Sequence, residues 1–205
     1  MTSTNRIVRS VASAALAAAL GLLVWIPQAA DSQPADLIMQ GRQALATDKT
    51  DEAVALFEKA VAANPSDPAA LAWLGSAQVA KAKGAPGLEG PGWVRRGFNT
   101  MDEAVERFPD SYVPYMVRGF TATKLPDLFK KAPAAVEDLG RVLAMREKNP
   151  QSVPDRAMPF VYLNLGIAYK KNGQPAEARA AWEKGKNLYP AAPEAQAIER
   201  ELRNL

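Results

Sequence analysis

From residue 31 onward, apolar and small residues recur at the three- to four-residue spacing of amphipathic α-helices along almost the whole chain. Four segments superimpose when a glycine in a first helix and a proline after a second helix are aligned. The glycines are Gly41, Gly75, Gly119 and Gly166, and the prolines are Pro65, Pro109, Pro150 and Pro190. The glycines are spaced by 34, 44 and 47 residues. The pattern therefore predicts a repeated helical hairpin, with inserts of about ten and about thirteen residues in the longer intervals.

The fourth segment gives the clearest pattern. Its characteristic positions are Tyr162, Leu165, Gly166, Tyr169, Gly173, Ala178, Trp182, Gly185 and Pro190. This order resembles the tetratricopeptide repeat, with glycine at position 185 where alanine is usual. Small residues let the two helices of a pair approach closely, and the proline ends the unit. We expect Trp182 to lie between the two helices of this segment, against Tyr162 and Tyr169.

The other segments keep parts of the pattern. The first has a capping signal at Thr50 or Asp51. The second is interrupted by the glycine-rich residues 84–92, after which a helix is expected to resume at about Trp93. The third has Arg118 where leucine is usual and is interrupted by residues 125–133, before a helix over 134–146.

The resemblance implies an all-α fold, a right-handed α-solenoid of about four helix pairs with inserts. The predicted domain spans residues 31–205, with a C-terminal capping helix whose apolar stripe covers the last repeat. The approximate units are 34–67, 68–111, 112–150 and 157–190, with the cap at 193–205.

Residues 1–30 have the pattern of a secretory leader. Two arginines precede an apolar run over residues 11–26, predicted to be an N-terminal helix, and Pro27 ends it. If the leader is retained, residues 8–27 anchor the chain in a bacterial inner membrane, with a single pass and a periplasmic C-terminal domain. If it is cleaved near Ala30, the product is a soluble periplasmic protein. We favour the anchor, because neither possible cleavage site has a small residue at the third position back.

The composition excludes several kinds of chemistry. The chain has neither cysteine nor histidine, so it has no disulfides, no thiolate or imidazole metal ligands and no cysteine nucleophile. Its net charge of +3 includes Arg6 and Arg9, and residues 31–205 carry only +1, which does not favour nucleic-acid binding. The acidic pairs Asp102–Glu103 and Glu137–Asp138 are expected on solvated helix faces. Residues 84–92 lack the features of a phosphate loop. We therefore expect that the protein is not an enzyme and that it binds no metal ion or cofactor.

In tetratricopeptide arrays the first helices line a concave groove, so the resemblance implies the partner-binding positions. The candidates are Arg42, Ser76, Met116, Phe120, Lys124, Asn164, Lys170 and Lys171. Phe120 is the predicted anchor, and Lys124, Lys170 and Lys171 form the predicted charged rim. Alternatively, Phe120 is a packing residue for the second insert. Such a surface suits an extended or helical peptide with an apolar face and an acidic flank.

Two functions remain open. The first is a non-enzymatic interaction scaffold of the bacterial envelope that supports assembly or stability of a membrane or periplasmic complex. The second is a ligand-binding or accessory subunit of an envelope enzyme or transporter, in which the inserts close a small-molecule pocket over the groove.

Overall fold

A computed structural model describes residues 33–205, which contain nine α-helices, three short 3₁₀ turns and no strand. The helices are α1 (Pro34–Ala46), α2 (Thr50–Ala63), α3 (Pro68–Lys81), α4 (Glu89–Arg107), α5 (Tyr112–Lys124), α6 (Ala132–Lys148), α7 (Met158–Lys171), α8 (Pro175–Leu188) and α9 (Glu194–Arg203). The all-α class is confirmed. The leader helix, the anchor over 8–27 and the cleavage site at Ala30 lie outside the described residues. Within the described part, no helix has the length and apolarity needed to cross a bilayer.

The helix starts follow from local sequence. Proline occupies the first turn of α1, α3, α6, α7 and α8, where its missing N–H costs no hydrogen bond. The carboxylate of Asp67 accepts a bond from the N–H of Ala69 at 2.8 Å and caps α3. The cap predicted at Thr50 or Asp51 is wrong: Lys49 holds the cap position, Thr50 is already helical, and no side chain caps α2.

Both inserts are shorter than their sequences indicate. A 3₁₀ turn over Ala82–Gly84 extends α3, and α4 begins at Glu89 instead of Trp93. Pro91 does not delay α4, because it lies in the first turn of the helix, where a proline N–H is not needed. The second insert contains a 3₁₀ turn over Asp127–Phe129 and is followed by α6 from residue 132, two residues earlier than expected.

The helices pack as pairs α1–α2, α3–α4, α5–α6 and α7–α8. The first helices also contact one another in the order α1, α3, α5 and α7, so they form one layer. The last helix, α9, packs against both α7 and α8, and its Ile198 is buried beside Trp182. Helix α9 therefore covers the final pair, as predicted for the cap.

Glycines allow the two helices of a pair to touch. A Cβ atom at Gly166 would collide with the indole ring of Trp182, and one at Gly75 would lie 2.6 Å from the carbonyl oxygen of Gly97. Trp182 is fully buried and donates from Nε1 to the carbonyl of Leu163 at 2.9 Å. Its predicted position between α7 and α8 is confirmed.

The two tyrosines predicted to contact Trp182 differ in their surroundings. Tyr169 packs against the cluster that contains Trp182. Tyr162 lies on the side of Gly185, where a Cβ atom would come within 2.5 Å of the tyrosine Cβ, and its ring centroid is 6.3 Å from that of Tyr189. The glycine at position 185, which departs from the usual alanine, thus makes room for Tyr162.

The departure at Arg118 has an electrostatic reason. Its guanidinium donates twice to the buried carboxylate of Asp138, at 2.9 and 2.7 Å, and once to Asp102 at 2.7 Å. The bonds to Asp138 raise the pKa of Arg118 above its ordinary value, so the side chain stays charged. An ion network therefore joins α4, α5 and α6 at the position where the second and fourth repeats bury Leu74 and Leu165.

Removing Arg118 should leave the Asp138 carboxylate buried without its cation. We expect Arg118→Ala to lower the free energy of unfolding by about 3 kcal/mol, measured by urea denaturation. Asp102→Ala removes only the half-exposed partner and should cost less than about 1 kcal/mol. The double variant Arg118→Leu with Asp138→Ala should recover most of the loss. Equal costs for Arg118→Ala and Asp102→Ala would contradict this account.

Candidate functional site

A row of aromatic rings crosses the layer of first helices. The ring of Trp73 on α3 lies 6.3 Å from that of Phe120 on α5, and Phe120 lies 4.9 Å from Phe160 on α7. At the other end, the guanidinium of Arg42 on α1 lies 5.0 Å above Trp73. We call Trp73, Phe120 and Phe160 the aromatic row. One residue from each of four consecutive first helices thus contributes to one continuous surface.

The row is partly core and partly surface. Trp73 is buried and stacks on Phe57 at 6.4 Å, whereas Phe120 and Phe160 are half-buried. Phe120 packs against the main core and also leaves part of its ring accessible. The structure therefore shows Phe120 as a packing residue whose ring stays partly accessible, and its role as an anchor for a partner stays a prediction.

Sequence reasoning missed Trp73. It precedes the predicted groove residue Ser76 by three positions, so the two share a helix face. That spacing was the available signal, since the tetratricopeptide pattern assigns no aromatic residue to this position. Met116, a predicted groove residue on α5, is half-buried and packs against the main core.

Two predicted groove residues are buried and hydrogen-bonded within the layer of first helices. The hydroxyls of Ser76 on α3 and Thr121 on α5 lie 2.9 Å apart. The amide of Asn164 donates to the carbonyl of Phe160 at 2.8 Å, and its oxygen lies 3.4 Å from the hydroxyl of Thr123. These groups join neighbouring first helices and have little surface left for a partner.

The three cations of the predicted rim are separated in the structure. Lys124 is exposed, and its Nζ lies 5.1 Å from the ring centroid of Phe120. Lys170 instead pairs with Glu201 of α9 at 3.1 Å. Lys171 pairs with Asp127 of the second insert at 3.2 Å and also donates to the carbonyl of Leu125. Lys124 and Arg42 are thus the predicted cations that lie over the aromatic row.

A cavity of about 770 Å³ lies beside the row, where both inserts meet the ends of α3 and α5. We call it the insert cavity. Its wall consists of Leu45, Asp48, Thr50, Ser76, Val79, Ala80, Ala82, Lys83, Gly90, Pro91, Val94, Phe120, Thr121, Lys124, Leu125, Pro126 and Phe129. Phe120, Ser76 and Lys124 therefore belong to both the predicted groove and the cavity wall.

The described residues contain no cluster of acidic side chains suited to a metal ion. Within the acidic pairs, Asp102 and Asp138 are both bonded to Arg118, while Glu103 pairs with Arg107 at 2.9 Å. Every buried side-chain polar atom of the described part has a hydrogen-bond partner. Asp102, Glu103 and Asp138 are therefore structural ion-pair partners. The expectation that the acidic pairs lie on solvated helix faces is wrong for Asp138, which is buried against Arg118.

Comparison with known proteins agrees with the fold. Residues 159–192 match the tetratricopeptide repeat pattern. The structure is similar to the crystal structure of TTC0263, a thermophilic tetratricopeptide-repeat protein of Thermus thermophilus, with a TM-score of 0.68 and 20% sequence identity. The likeness covers 84% of this chain and 82% of that chain. No curated protein matches the sequence. The predicted all-α repeat fold is confirmed, and within it the fourth segment is the part that matches the tetratricopeptide repeat pattern.

Lys170 and Lys171 should protect different segments of the chain from amide hydrogen exchange. Lys171→Ala should accelerate amide exchange in residues 125–131 by releasing the second insert, whereas Lys170→Ala should accelerate exchange in α9. Each loss of global stability should stay below about 1 kcal/mol, because these ion pairs are partly exposed. Hydrogen–deuterium exchange with mass spectrometry of the two variants provides reciprocal controls. Unchanged exchange of residues 125–131 in Lys171→Ala would refute the assignment.

Proposed function

We propose that this protein is a non-enzymatic interaction scaffold that binds a segment of another protein along its aromatic row. The tetratricopeptide fold supports this proposal, since its first helices form an extended surface of the kind that binds peptides. The observation that carries it is the continuous run from Arg42 through the half-buried rings of Phe120 and Phe160. A few large side chains that become fully buried near the centre of an interface commonly supply most of the binding energy.

The charges over the row favour a partner segment with an apolar face and acidic flanks. Arg42 and Lys124 are both exposed and rest above aromatic rings of the row. No acidic group of the described chain lies within ion-pair distance of either cation. Carboxylates of a partner would therefore find both cations available, which would increase the association rate and make binding salt-dependent.

We further propose that the scaffold works on the extracytoplasmic side of a bacterial inner membrane. The arginines and apolar run of residues 1–30 support export, with residues 8–27 as a retained anchor or a soluble periplasmic form released near Ala30. In this location the protein would support assembly or stability of a membrane or periplasmic complex.

A second function has its own observation in favour. The insert cavity combines residues of both inserts with groove residues, as expected for a ligand-binding or accessory subunit of an envelope enzyme or transporter. Its volume falls in the usual range for small-molecule sites. The scaffold remains the leading proposal, because Trp73 and Phe160 of the aromatic row, and Arg42 above Trp73, lie outside the cavity wall.

If the protein is an interaction scaffold, binding of its partner should depend on the charge of Arg42. A C-terminally tagged chain, purified from solubilised membranes, should recover a partner protein, and Arg42→Glu should reduce that recovery, most strongly at low ionic strength. Arg95→Glu is the matched control, since Arg95 is an exposed arginine of α4, a second helix. Equal recovery by Arg42→Glu and Arg95→Glu, or no co-purifying protein, would contradict the proposal.

A further inference from the structure

We propose that the insert cavity binds a single-chain carboxylate, with a linear alkyl chain inside the cavity and the carboxylate at Lys124. This inference deepens the ligand-binding alternative proposed above and rests on it, and the cavity shares Phe120 and Lys124 with the surface proposed to bind a partner protein. Three features carry the inference: the apolar interior, the charge balance at the mouth and the scarcity of hydrogen-bonding groups in the wall.

The interior of the cavity is suited to hydrocarbon. Val79 of α3, Val94 of α4, and Leu125 and Phe129 of the second insert contribute apolar surface. At about 770 Å³, the cavity is as large as sites that enclose small organic ligands. Burying alkyl surface against these side chains is favourable in proportion to the area removed from water.

The cavity wall contains few hydrogen-bonding groups that are free to bind a ligand. Of its three hydroxyls, those of Ser76, Thr121 and Thr50, the first two lie 2.9 Å apart, and the Thr121 hydroxyl can also donate a hydrogen bond to the carbonyl of Val117 at 2.8 Å. A peptide entering the cavity would carry backbone N–H and C=O groups that find few partners there, and each unpaired buried group is costly. An alkyl chain has no such groups. The interior therefore favours a hydrocarbon tail over a polypeptide segment.

The charged residues of the wall leave one positive charge. Asp48 and Lys83 pair with each other at 3.1 Å. Lys124 is exposed, sits against the Phe120 ring, and has no acidic partner within the described residues. One cation matches one carboxylate, whereas the wall contains no arginine fork of the kind that recognises phosphate. The charge balance thus selects a monoanionic head group.

Calorimetric titration of the full chain tests the site with octanoate, decanoate, dodecanoate and tetradecanoate, each below its micelle-forming concentration. One molecule should bind per chain, and affinity should rise about fourfold per methylene group until the cavity is full. Butyrate should not bind measurably. A plateau in the series marks an enclosed site, whereas a rise without plateau would show partition into another apolar region and overturn the proposal.

Two variants assign the binding to the cavity. Ala82→Phe places a ring in the cavity and should abolish the gain from long chains. Lys124→Gln should weaken dodecanoate about two- to fivefold, as expected for an exposed ion pair, and leave dodecanol unchanged. Lys130→Gln is the control, because Lys130 is an exposed lysine of the neighbouring second insert that lies outside the cavity wall, and this variant should bind dodecanoate like the unaltered chain.

The fatty-acid site and the protein-binding surface can be tested independently of each other. Arg42→Glu should leave dodecanoate binding unchanged, because Arg42 is not part of the cavity wall. Dodecanoate binding that neither Ala82→Phe nor Lys124→Gln alters would refute the site. Because Lys124 is a surface residue, the Lys124→Gln result remains decisive even if Ala82→Phe destabilises the chain.

Discussion

Each of the four helix pairs depends on a close approach that only glycine permits. A Cβ atom at the shared glycine position would come within 3.0 Å of the second helix in every pair. It would meet the ring of Phe57 in the first pair, the backbone of Gly97 in the second, Leu139 in the third and the ring of Trp182 in the fourth. Because each first helix is held directly against its partner helix, the first helices can also lie side by side. The aromatic row lies in this layer and the insert cavity borders it, so both depend on the glycine contacts within the helix pairs.

Local sequence was sufficient for this part of the fold. The glycine and proline offsets place small residues at the crossings and helix breaks between units, and both are properties of neighbouring residues. The start of α4 could not be predicted in the same way. Gly90, Pro91 and Gly92 have poor helix propensity, yet they join α4 because its first turn tolerates them and the packing of Val94 and Phe98 stabilises the helix beyond.

The candidate site was predictable only in part. The position of a residue in the repeat predicts the helix face on which it lies, but it does not predict which residue, distant in sequence, it will contact. Lys170 and Lys171 lie at positions that the repeat directs inward, but their acceptors are 31 and 46 residues away, in α9 and the second insert. Arg118 was visible only as a departure from the repeat, since Asp138 belongs to the next helix. Trp73 joined the row through contacts with two other first helices that no local pattern encodes.

Equilibrium unfolding of two glycine variants tests the central claim most directly. Gly166 lies against Trp182, whereas Gly140 in α6 has open space where a Cβ atom would be. Gly166→Ala should lower the free energy of unfolding by about 1–3 kcal/mol through overpacking. Gly140→Ala should raise it by about 0.5–1 kcal/mol, because alanine is the better helix former. If both substitutions stabilise the chain equally, close approach at the glycine does not hold the helix pairs together.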